Sequence, residues 1–545
     1  MNRALVRAAI LATVFTVIAG CGPASRDDDS APTSTPSGSA SEPASGSAAP
    51  VASVPPPLVP AMPLPENAVD NAVAKLDGIA QELMDSSGVP GMAVAVVHGG
   101  KTVYAKGFGV KDNRAGDDPA NRVDPDTVFQ LASLSKSLSA TVVAHQVTEN
   151  AISWDTRVAE KLPWFALADP AVTGMVTVGD LFSHRSGLPD HAGDRLEDIG
   201  YDRRAVLEKL RELPLDPFRT SYAYTNFGLT AAAEAVAAGA GTTWEELAER
   251  VLYRPLGMTS TSSRFADYEA RPDKAIGHIA VDGGYQPLYQ RNADAQTPAG
   301  GVSSSLNDMT RWLTMVLANG TANGTTITSP EALLPALSPQ VVSTPPSEPA
   351  MRSGFYGYGF NVGTTAAART QASHSGAFEL GAATNFVIIP SADVAIVALT
   401  NATPTGLVET LTAEFADLVQ FGEVREDWRA LYGNAFADMD KPEGTLVGQT
   451  PPPNPAPAPP LTELEGTYQN SYWGPATVTE SGGTLGLSVG PRNEMWPLTH
   501  WDGNVFTFEL TSENAPPGTI SKATFDGNRL VLEYFDSDKM GTFTR

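Results

Sequence analysis

The sequence of 545 residues predicts an α/β sandwich followed by a small all-β domain. In the predicted sandwich, a mostly antiparallel sheet is flanked by helices and joined to a helical lobe. The first reason is that strand-like segments lie at both ends of the larger domain, with a long helical insert between them. The second is that Gly466–Arg545 contains only short strand-like segments with aromatic residues and Gly, Asn or Asp turns. The third is a proline-rich spacer that separates the two parts.

The larger domain is predicted to begin with an amphipathic helix and a β-hairpin. Apolar residues recur at spacings of three and four from Val69 to Leu83, and Gly88 ends this helix. The strands Met92–Val97 and Thr102–Ala105 then flank a turn that contains two glycines. A hairpin at this position would supply the first two strands of the sheet.

Later elements follow the same periodicity rules. Two apolar strands are expected at Asn385–Ile389 and Val394–Leu399. Helices are expected over about residues 140–150 and 228–250, over Leu306–Leu317, and over a closing segment that carries Leu407, Leu411, Phe415 and Leu418. In the last domain, strands without any helix are expected at Ala476–Thr479, Leu485–Val489, Val505–Leu510 and Leu530–Phe535.

Composition divides the chain into five segments. Residues 1–20 are predicted to be a signal peptide, and residues 21–64, rich in Ser, Pro, Ala and Gly, a disordered tether. The larger domain is predicted at 65–425, and a proline-rich linker at 426–460. Residues 461–545 are predicted to form a small β-barrel or β-sandwich.

The N-terminus has the features of a bacterial lipoprotein signal. Arg3 and Arg7 precede an uncharged apolar run that is too short to span a membrane and that ends at Cys21. We therefore expect export, lipidation of Cys21, and anchoring to the bacterial membrane, facing the periplasm or the exterior. Gly22, which is not an aspartate, favours the outer membrane if the cell has two. Cys21 is the only cysteine, so the chain can form no intrachain disulfide and contains no second thiol that could bind zinc.

Charge and histidine spacing exclude several classes of partner. The formal net charge of -25 argues against nucleic acid and against electrostatic attraction to anionic lipids. His184 and His191 are interpreted as structural. The other histidines show no spacing that suggests zinc, and no glycine loop suited to phosphate binding precedes a helix. No metal and no cofactor is therefore expected.

The segment Phe129–Lys136 carries a possible nucleophile. Ser133 and Lys136 are three residues apart, so on a helix they would share a face. The amine of Lys136 could then reach the hydroxyl of Ser133, and a helix N-terminus would supply free backbone N–H groups. A Ser-x-x-Lys pattern alone is weak, because one match is expected by chance in a chain of this composition.

Two further motifs could complete this site. Tyr224-Thr225-Asn226 offers a phenol near the lysine, and His374-Ser375-Gly376 offers the start of a strand that could supply oxyanion donors. Each motif is weak alone, because both patterns recur elsewhere in the chain. Only Tyr224 and His374 give the order serine, tyrosine, histidine.

The ordered set resembles the class C β-lactamase-like serine hydrolase family, which includes penicillin-binding proteins, esterases and D-amino-acid peptidases. The resemblance runs from about Val89 to Ala402 and implies a β-lactamase/transpeptidase-like fold. It also resembles forms of that family that are lipoproteins with a C-terminal β-barrel-like appendage. The matching segments are Gly88–Met92, Phe129–Lys136, Ser183–Pro189, Tyr224–Asn226, Pro255–Met258, Pro298–Val302 with Asp308 and Trp312, and His374–Gly376.

The resemblance implies a role for each matching residue. Ser133 would be the acyl-accepting nucleophile, and Lys136 and Tyr224 the proton-transfer pair. A lysine can act as a base only if burial or a neighbouring positive charge depresses its pKa. The substrate-binding residues implied are Asn226, His374, Gly376 and Ala377. Of these, Ala377 would supply an oxyanion-hole N–H together with Ser133, and Gly376 would keep its strand clear of the acyl group.

Three positions depart from the β-lactamases of that family. Gln130 and Ala132 stand where those enzymes usually carry Glu and Gly. His374 replaces the lysine that binds the β-lactam carboxylate, which resembles the esterase and D-aminopeptidase branches and argues against efficient antibiotic hydrolysis.

The sequence therefore predicts a cell-envelope serine hydrolase that cleaves an ester or an amide through a Ser133 acyl-enzyme. The expected partners are a small-molecule acyl substrate or a D-amino-acid peptide, with peptidoglycan as a further possibility and the membrane reached through the N-terminal lipid. The alternatives are a β-lactamase or DD-peptidase, and a catalytically idle envelope protein that binds peptidoglycan or another protein.

Overall fold

A computed structural model describes residues 55–545 except residue 117. The predicted signal peptide, Cys21 and most of the predicted tether lie outside these residues. Within the described part of the chain, no helix is both long enough and apolar enough to span a membrane.

The larger domain contains sixteen α-helices and fourteen strands among the described residues, and several of them are only one turn or two residues long. The strands are β1 (Gly91–His98), β2 (Lys101–Gly109), β3 (Phe129–Gln130), β4 (Ile279–Val281), β5 (Gly284–Gln286), β6 (Ser303–Ser304), β7 (Thr321–Ala322), β8 (Thr325–Thr326), β9 (Val341–Thr344), β10 (Gly354–Tyr356), β11 (Asn361–Thr364), β12 (Thr370–Phe378), β13 (Ala382–Ile389) and β14 (Val394–Thr400). The helices are α1 (Ala68–Ser87), α2 (Ser135–Thr148), α3 (Val158–Lys161), α4 (Pro170–Met175), α5 (Val178–Phe182), α6 (Asp194–Asp198), α7 (Arg203–Lys209), α8 (Asn226–Gly239), α9 (Trp244–Ala248), α10 (Arg254–Leu256), α11 (Phe265–Glu269), α12 (Thr297–Gly300), α13 (Leu306–Leu317), α14 (Pro330–Leu333), α15 (Leu407–Phe421) and α16 (Trp428–Phe436).

An eight-stranded antiparallel sheet forms the centre of this domain, in the order β2-β1-β14-β13-β12-β11-β10-β9. Strand β1 pairs with β14, from Met92 opposite Thr400 to His98 opposite Val394. The N-terminal hairpin therefore joins the C-terminal strands in one sheet. This confirms the prediction that strands from both ends of the domain share a sheet.

Helices cover both faces of the sheet. Strand β1 shows why: Val94 and Val96 contact the core that contains α1 and α15, whereas Ala93 and Ala95 contact the core on the opposite face. Trp312 of α13 is fully buried in that second core. Since a strand covered on both faces is apolar throughout, the predicted α/β sandwich is confirmed.

Two predicted segments differ from the structure. The helix expected at about 228–250 is interrupted after Gly239, because Gly241 takes a left-handed φ of 66° before α9 begins. The segment expected to be a linker at 426–460 is not irregular throughout, because residues 428–436 form α16. Tyr432 and Phe436 of this helix are buried in a small apolar cluster with Ala377.

The C-terminal domain is an all-β barrel. Its strands are β15 (Gly466–Tyr468), β16 (Ala476–Ser481), β17 (Thr484–Val489), β18 (Met495–Asp502), β19 (Val505–Ser512), β20 (Ala515–Asp526), β21 (Arg529–Leu532) and β22 (Thr542–Thr544). It also contains one short α-helix, α17 (Leu461–Leu464), and a 3-10 helix, Tyr534–Asp536. The eight strands pair in chain order, and the backbone groups of Gln469 and Thr544 bond to each other, which nearly closes the sheet. The expectation of a domain without any helix is wrong at these two short turns.

The barrel packs on the helical lobe of the larger domain, and α6 is central to the contact. Asp198 of α6 accepts hydrogen bonds from Ser512 Oγ at 2.7 Å and from Asn514 Nδ2 at 2.9 Å. Arg195, on the same helix, pairs with Glu443 at 2.9 Å. The barrel therefore contacts the same short helix that, at its other end, reaches the candidate site.

Candidate active site

Ser133 lies in a tight turn at the start of α2. Residues Ala132–Leu134 form a 3-10 turn, and Ala132 holds a left-handed φ of 47°, which is uncommon for a residue other than glycine. The hydroxyl of Ser135 donates to the Ala132 carbonyl at 2.6 Å and accepts the Val302 N–H at 3.0 Å. These bonds hold the turn, so Ser133 is presented half-buried at the junction of the lobe and the sheet.

Lys136 is fully buried one turn further along α2. Its Nζ lies 3.0 Å from Ser133 Oγ, 2.7 Å from Asn226 Oδ1 and 2.9 Å from the Ala299 carbonyl oxygen. A neutral amine has two hydrogens and one lone pair. If the two hydrogens go to Asn226 and Ala299, the lone pair faces the hydroxyl of Ser133.

Burial favours this neutral amine. Desolvation lowers the pKa of Lys136 to about 7, although the charge of Asp194 raises it. A substantial fraction of the side chain is therefore uncharged at neutral pH, and it can accept a proton there.

Tyr224 approaches Ser133 from the loop that precedes α8. Its hydroxyl donates to Ser133 Oγ at 2.9 Å, and Lys136 Nζ lies 4.6 Å from the centre of its ring. Burial raises the pKa of Tyr224 well above its usual value, so the group remains a protonated phenol. Tyr224 can therefore donate or relay a proton, but the ionised form is disfavoured.

Asn226 opens α8 and links Lys136 to an acidic residue that the sequence motifs did not indicate. Its Oδ1 accepts the Lys136 hydrogen bond, and its Nδ2 donates to Asp194 Oδ2 at 2.8 Å. The ring of His191 bonds to the same oxygen at 2.7 Å. No spacing rule points to Asp194, because its contact with Asn226 is tertiary and separates them by 32 positions.

His374 is held by protein groups at both of its ring nitrogens. Its Nε2 accepts the Tyr356 hydroxyl at 2.8 Å, and its Nδ1 lies 2.6 Å from the Ser375 carbonyl oxygen. Its side chain is buried, which lowers its pKa to about 3 and keeps the ring neutral. Both nitrogens are therefore engaged within a cluster of aromatic rings, and the contact of His374 with substrate stays a prediction.

Gly376 and Ala377 lie on β12 where this strand passes the serine turn. A Cβ at Gly376 would collide with the Leu131 carbonyl oxygen and would lie 3.0 Å from the backbone nitrogen of Ser133. Strand β11 pairs with β12 only as far as Ser373, so the later residues of β12 have no β11 partner among the described residues. The strand therefore leaves an edge beside Ser133 along which an extended acyl group could lie.

Of the two histidines interpreted as structural, His184 is buried beside this cluster and His191 is half-buried. The Thr225 N–H donates to Nδ1 of His184 at 3.2 Å, and burial lowers the pKa of His184 well below its usual value. His191 is the Asp194 partner described above. Among the described residues, no group of three or more His, Cys, Asp or Glu side chains could hold a metal ion.

A helix-covered antiparallel sheet, with a serine, a lysine and a tyrosine gathered at its junction with a helical lobe, defines a protein of the β-lactamase/transpeptidase-like class. The chain belongs to the Beta-lactamase family, whose model matches residues 76–420. Members of this family are serine hydrolases. A second model, described as a domain of unknown function (DUF3471), matches residues 450–532, which covers most of the barrel.

Several relatives are similar over large parts of the chain. An unguisins hydrolase from Aspergillus campestris is 28% identical over 420 residues, which cover 73% of this chain and 75% of that protein. The D-alanyl-D-alanine-carboxypeptidase/endopeptidase AmpH of Escherichia coli strain K12 is 27% identical over 252 residues, 45% of this chain and 62% of AmpH.

Solved structures show the same fold. The octameric penicillin-binding protein homologue from Pyrococcus abyssi aligns with a TM-score of 0.56 and 20% identity, covering 87% of this chain and 100% of that chain. EstCE1, described as a hydrolase with promiscuous acyltransferase activity, aligns with a TM-score of 0.53 and 18% identity, covering 65% of this chain and 100% of EstCE1.

Proposed function

We propose that the protein is a cell-envelope serine hydrolase that cleaves an ester or amide bond through an acyl-enzyme on Ser133. The observation that carries the proposal is the pair of contacts at Ser133 Oγ, 3.0 Å to the Lys136 amine and 2.9 Å to the Tyr224 hydroxyl. A serine needs an adjacent base to act as a nucleophile, and a lysine that is partly neutral near pH 7 is such a base.

The proposed acylation step uses these two contacts at Ser133 Oγ. Neutral Lys136 takes the proton of Ser133 as Oγ forms a bond to the acyl carbon, and the carbonyl oxygen becomes an oxyanion. The N–H groups of Ser133 and Ala377 are the proposed donors to this oxygen. When the intermediate collapses, the bond to the leaving group breaks. The leaving group takes the Tyr224 proton, which Lys136 replaces.

Hydrolysis of the acyl-enzyme reverses these proton movements. A water molecule loses a proton to the Lys136–Tyr224 pair as its oxygen attacks the acyl carbon. The new intermediate expels Ser133 Oγ, which recovers the proton. The acid product leaves, and the lysine is again neutral.

The substrate class we propose is an ester or a D-amino-acid peptide. His374 supports this class, because a neutral and buried ring offers no positive charge for the carboxylate of a β-lactam. The relative AmpH is named a D-alanyl-D-alanine-carboxypeptidase/endopeptidase, and EstCE1 a hydrolase with acyltransferase activity. The name of AmpH supports acyl transfer from D-alanyl peptides.

DD-peptidase activity is a second candidate, favoured by the similarity to AmpH and to penicillin-binding protein 4 of Amycolatopsis lactamdurans, which is 30% identical over 249 residues, 44% of this chain and 63% of that protein. The proposed location is the bacterial membrane, the outer one if the cell has two, with the protein anchored through a lipid on Cys21 and facing the periplasm or the exterior, where peptidoglycan would be available.

The test combines active-site labelling with a substrate panel. A fluorophosphonate probe should label wild type at Ser133, and Ser133→Ala should remain unlabelled, whereas the exposed Ser153→Ala should label normally. p-Nitrophenyl esters, D-alanyl anilides, D-alanyl-D-alanine peptides and nitrocefin then separate the substrate classes. No labelling of wild type, or equal labelling of Ser133→Ala, would reject the proposal.

A further inference from the structure

We propose that Asp194 is a positioning residue that fixes the side-chain amide of Asn226 and, through it, the amine of Lys136. This inference rests on the proposed function, because Lys136 is its base. It adds a residue that lies outside the motifs and that contacts neither Ser133 nor the substrate edge of β12.

The two ends of the Asn226 amide bond to different partners. Its oxygen accepts from Lys136 Nζ at 2.7 Å, and its nitrogen donates to Asp194 Oδ2 at 2.8 Å. A carboxylate can only accept, so the –NH2 end of the amide must face Asp194. A flipped Asn226 would present its own donors to Lys136 and an oxygen to a carboxylate, and would lose both bonds. Asp194 therefore sets the orientation of the amide, which keeps an acceptor facing the lysine.

Asp194 is itself held on two sides. The ring of His191 donates to Asp194 Oδ2 at 2.7 Å. Gly193, just before it, has a φ of 93°, and a Cβ there would lie 2.7 Å from Val206 and 3.0 Å from Phe227. The backbone entering α6 is therefore confined, and the carboxylate is only 3% exposed. Its second oxygen, Oδ1, has no hydrogen-bond partner among the described residues. The side-chain partners of the carboxylate are therefore Asn226 and His191, both at Oδ2.

Charge gives Asp194 a second effect. The titratable groups around Lys136 come from four parts of the chain and are Tyr224, His184, His374, Asp190, His191 and Asp194. Burial lowers the pKa of Lys136, and the charge of Asp194 partly offsets it. Burial opposes protonation of His191 as well, but Asp190 and Asp194 raise its pKa to about 9, so this ring is a cation near neutral pH. The negative charge of Asp194 thus raises the pKa of Lys136, whereas the positive charge of His191 lowers it.

The matched control lies on the same helix. Asp198 is buried like Asp194, but its carboxylate binds Ser512 and Asn514 of the barrel and not Asn226. Asp194→Asn and Asp198→Asn therefore make the same chemical change at the two ends of α6. Only the first removes the charge near Lys136.

The experiment measures the rate of fluorophosphonate labelling of the full chain as a function of pH. In Asp194→Asn we expect the plateau rate to fall about 10-fold to 100-fold, because an amide can present either its oxygen or its –NH2 to Asn226, so that the Asn226 amide and Nζ are no longer fixed in one orientation. The pH at which the rate is half its plateau should shift downward, since the lysine loses a negative neighbour. In His191→Gln this pH should shift upward, because a cation is removed. Asp198→Asn should leave it unchanged.

Opposite shifts distinguish positioning from general damage, because loss of stability would not move the two profiles in opposite directions. If Asp194→Asn fails to fold, the pH profile of His191→Gln remains as the test. An upward shift supports the inference, and an unchanged profile contradicts it. An unchanged profile in either folded variant, with wild type labelled at Ser133, would overturn this inference alone. Absence of labelling in wild type would overturn the proposed function, and this inference with it.

Discussion

At the scale of single residues, the protonation of Lys136 controls the proposed chemistry. Burial lowers the pKa of this lysine to about 7, and only the neutral amine can accept the Ser133 proton. Below this pKa the Lys136 amine is an ammonium without a lone pair, and above it the neutral base is available. The rate of proton transfer from Ser133 should therefore rise with pH.

We therefore predict that the labelling rate of wild type rises with pH, about tenfold per unit on the acid side, and levels off above about pH 7. Lys136→Gln should lower the plateau by about 10²-fold to 10⁴-fold, the usual contribution of a general base. Stopped-flow labelling measures both. A rate that does not change across this range would mean that another group takes the proton.

Tyr224 gives a second prediction at this scale, because its proton is needed most where the leaving group is poor. Tyr224→Phe should slow hydrolysis of D-alanyl anilides far more than hydrolysis of p-nitrophenyl esters, since p-nitrophenolate leaves without protonation. The measurement is the ratio of kcat/KM for the two substrates. An equal loss for both would indicate that Tyr224 only orients Ser133.

The site residues that belong to sequence motifs could be predicted from the sequence. The site residues that are brought in only by tertiary contacts could not. The spacing of Ser133 and Lys136 predicted their contact, because residues three positions apart on a helix lie on the same face. Asp194 carries no such signal, since it meets Asn226 only when α6 folds against α8. For His374 the substrate contact that the motif suggests stays a prediction, whereas its bond to Tyr356, from a different strand, carries no sequence signal.

At the scale of elements, the close approach of β12 to the serine turn determines the shape of the site. Thr384 of the neighbouring strand donates to the Leu131 carbonyl at 2.7 Å, which ties the turn to the sheet. The approach is possible only because residue 376 has no side chain.

Gly376→Ala should therefore reduce labelling of Ser133 by about 100-fold, because the new methyl group collides with Leu131 and displaces the turn. The control is Gly78→Ala in α1, where a Cβ meets nothing within 4 Å. That change should leave labelling intact and raise the free energy of unfolding by roughly 1 kcal/mol, since alanine is the better helix former. Wild-type labelling in Gly376→Ala would contradict the proposed geometry.

Periodic elements were the most predictable ones. The helix Leu306–Leu317 has the predicted bounds because a regular apolar stripe defines both of its ends. Helix α16 was missed because residues 428–436 precede a long proline-rich stretch, which made the whole segment look like a linker. Its burial depends on α15 and β12, which are distant in the sequence.

At the scale of the whole molecule, the barrel contacts the larger domain in two regions. One runs from α6 to α7, where the Ile199 carbonyl accepts the Arg492 N–H at 3.0 Å and Tyr201 donates to the Trp473 carbonyl at 3.0 Å. The other is the turn between β12 and β13. There Glu513 accepts the Glu379 N–H at 2.9 Å and the Leu380 N–H at 3.3 Å, and it lies 3.8 Å from Arg291. The second contact adjoins the strand that carries Gly376, so docking of the barrel and the geometry of the site are connected.

Glu513→Ala should loosen this docking, because it leaves the half-buried N–H groups of Glu379 and Leu380 without their acceptor, at a cost of about 1–3 kcal/mol. We expect faster proteolysis within the proline-rich segment 441–460 and a lower midpoint of thermal unfolding. Glu509→Ala, on the exposed side of the same hairpin, should behave as wild type. Unchanged proteolysis in Glu513→Ala would show that the contacts between α6 and α7 hold the barrel without Glu513.

The most direct test of the central claim is to identify the atom that carries the acyl group during turnover. Wild type mixed with p-nitrophenyl acetate and quenched in acid should release a burst of one p-nitrophenol per chain and carry one acetyl group on the peptide that contains Ser133. Ser133→Ala should show neither. An acetyl group on any other residue, or turnover that persists in Ser133→Ala, would contradict the account.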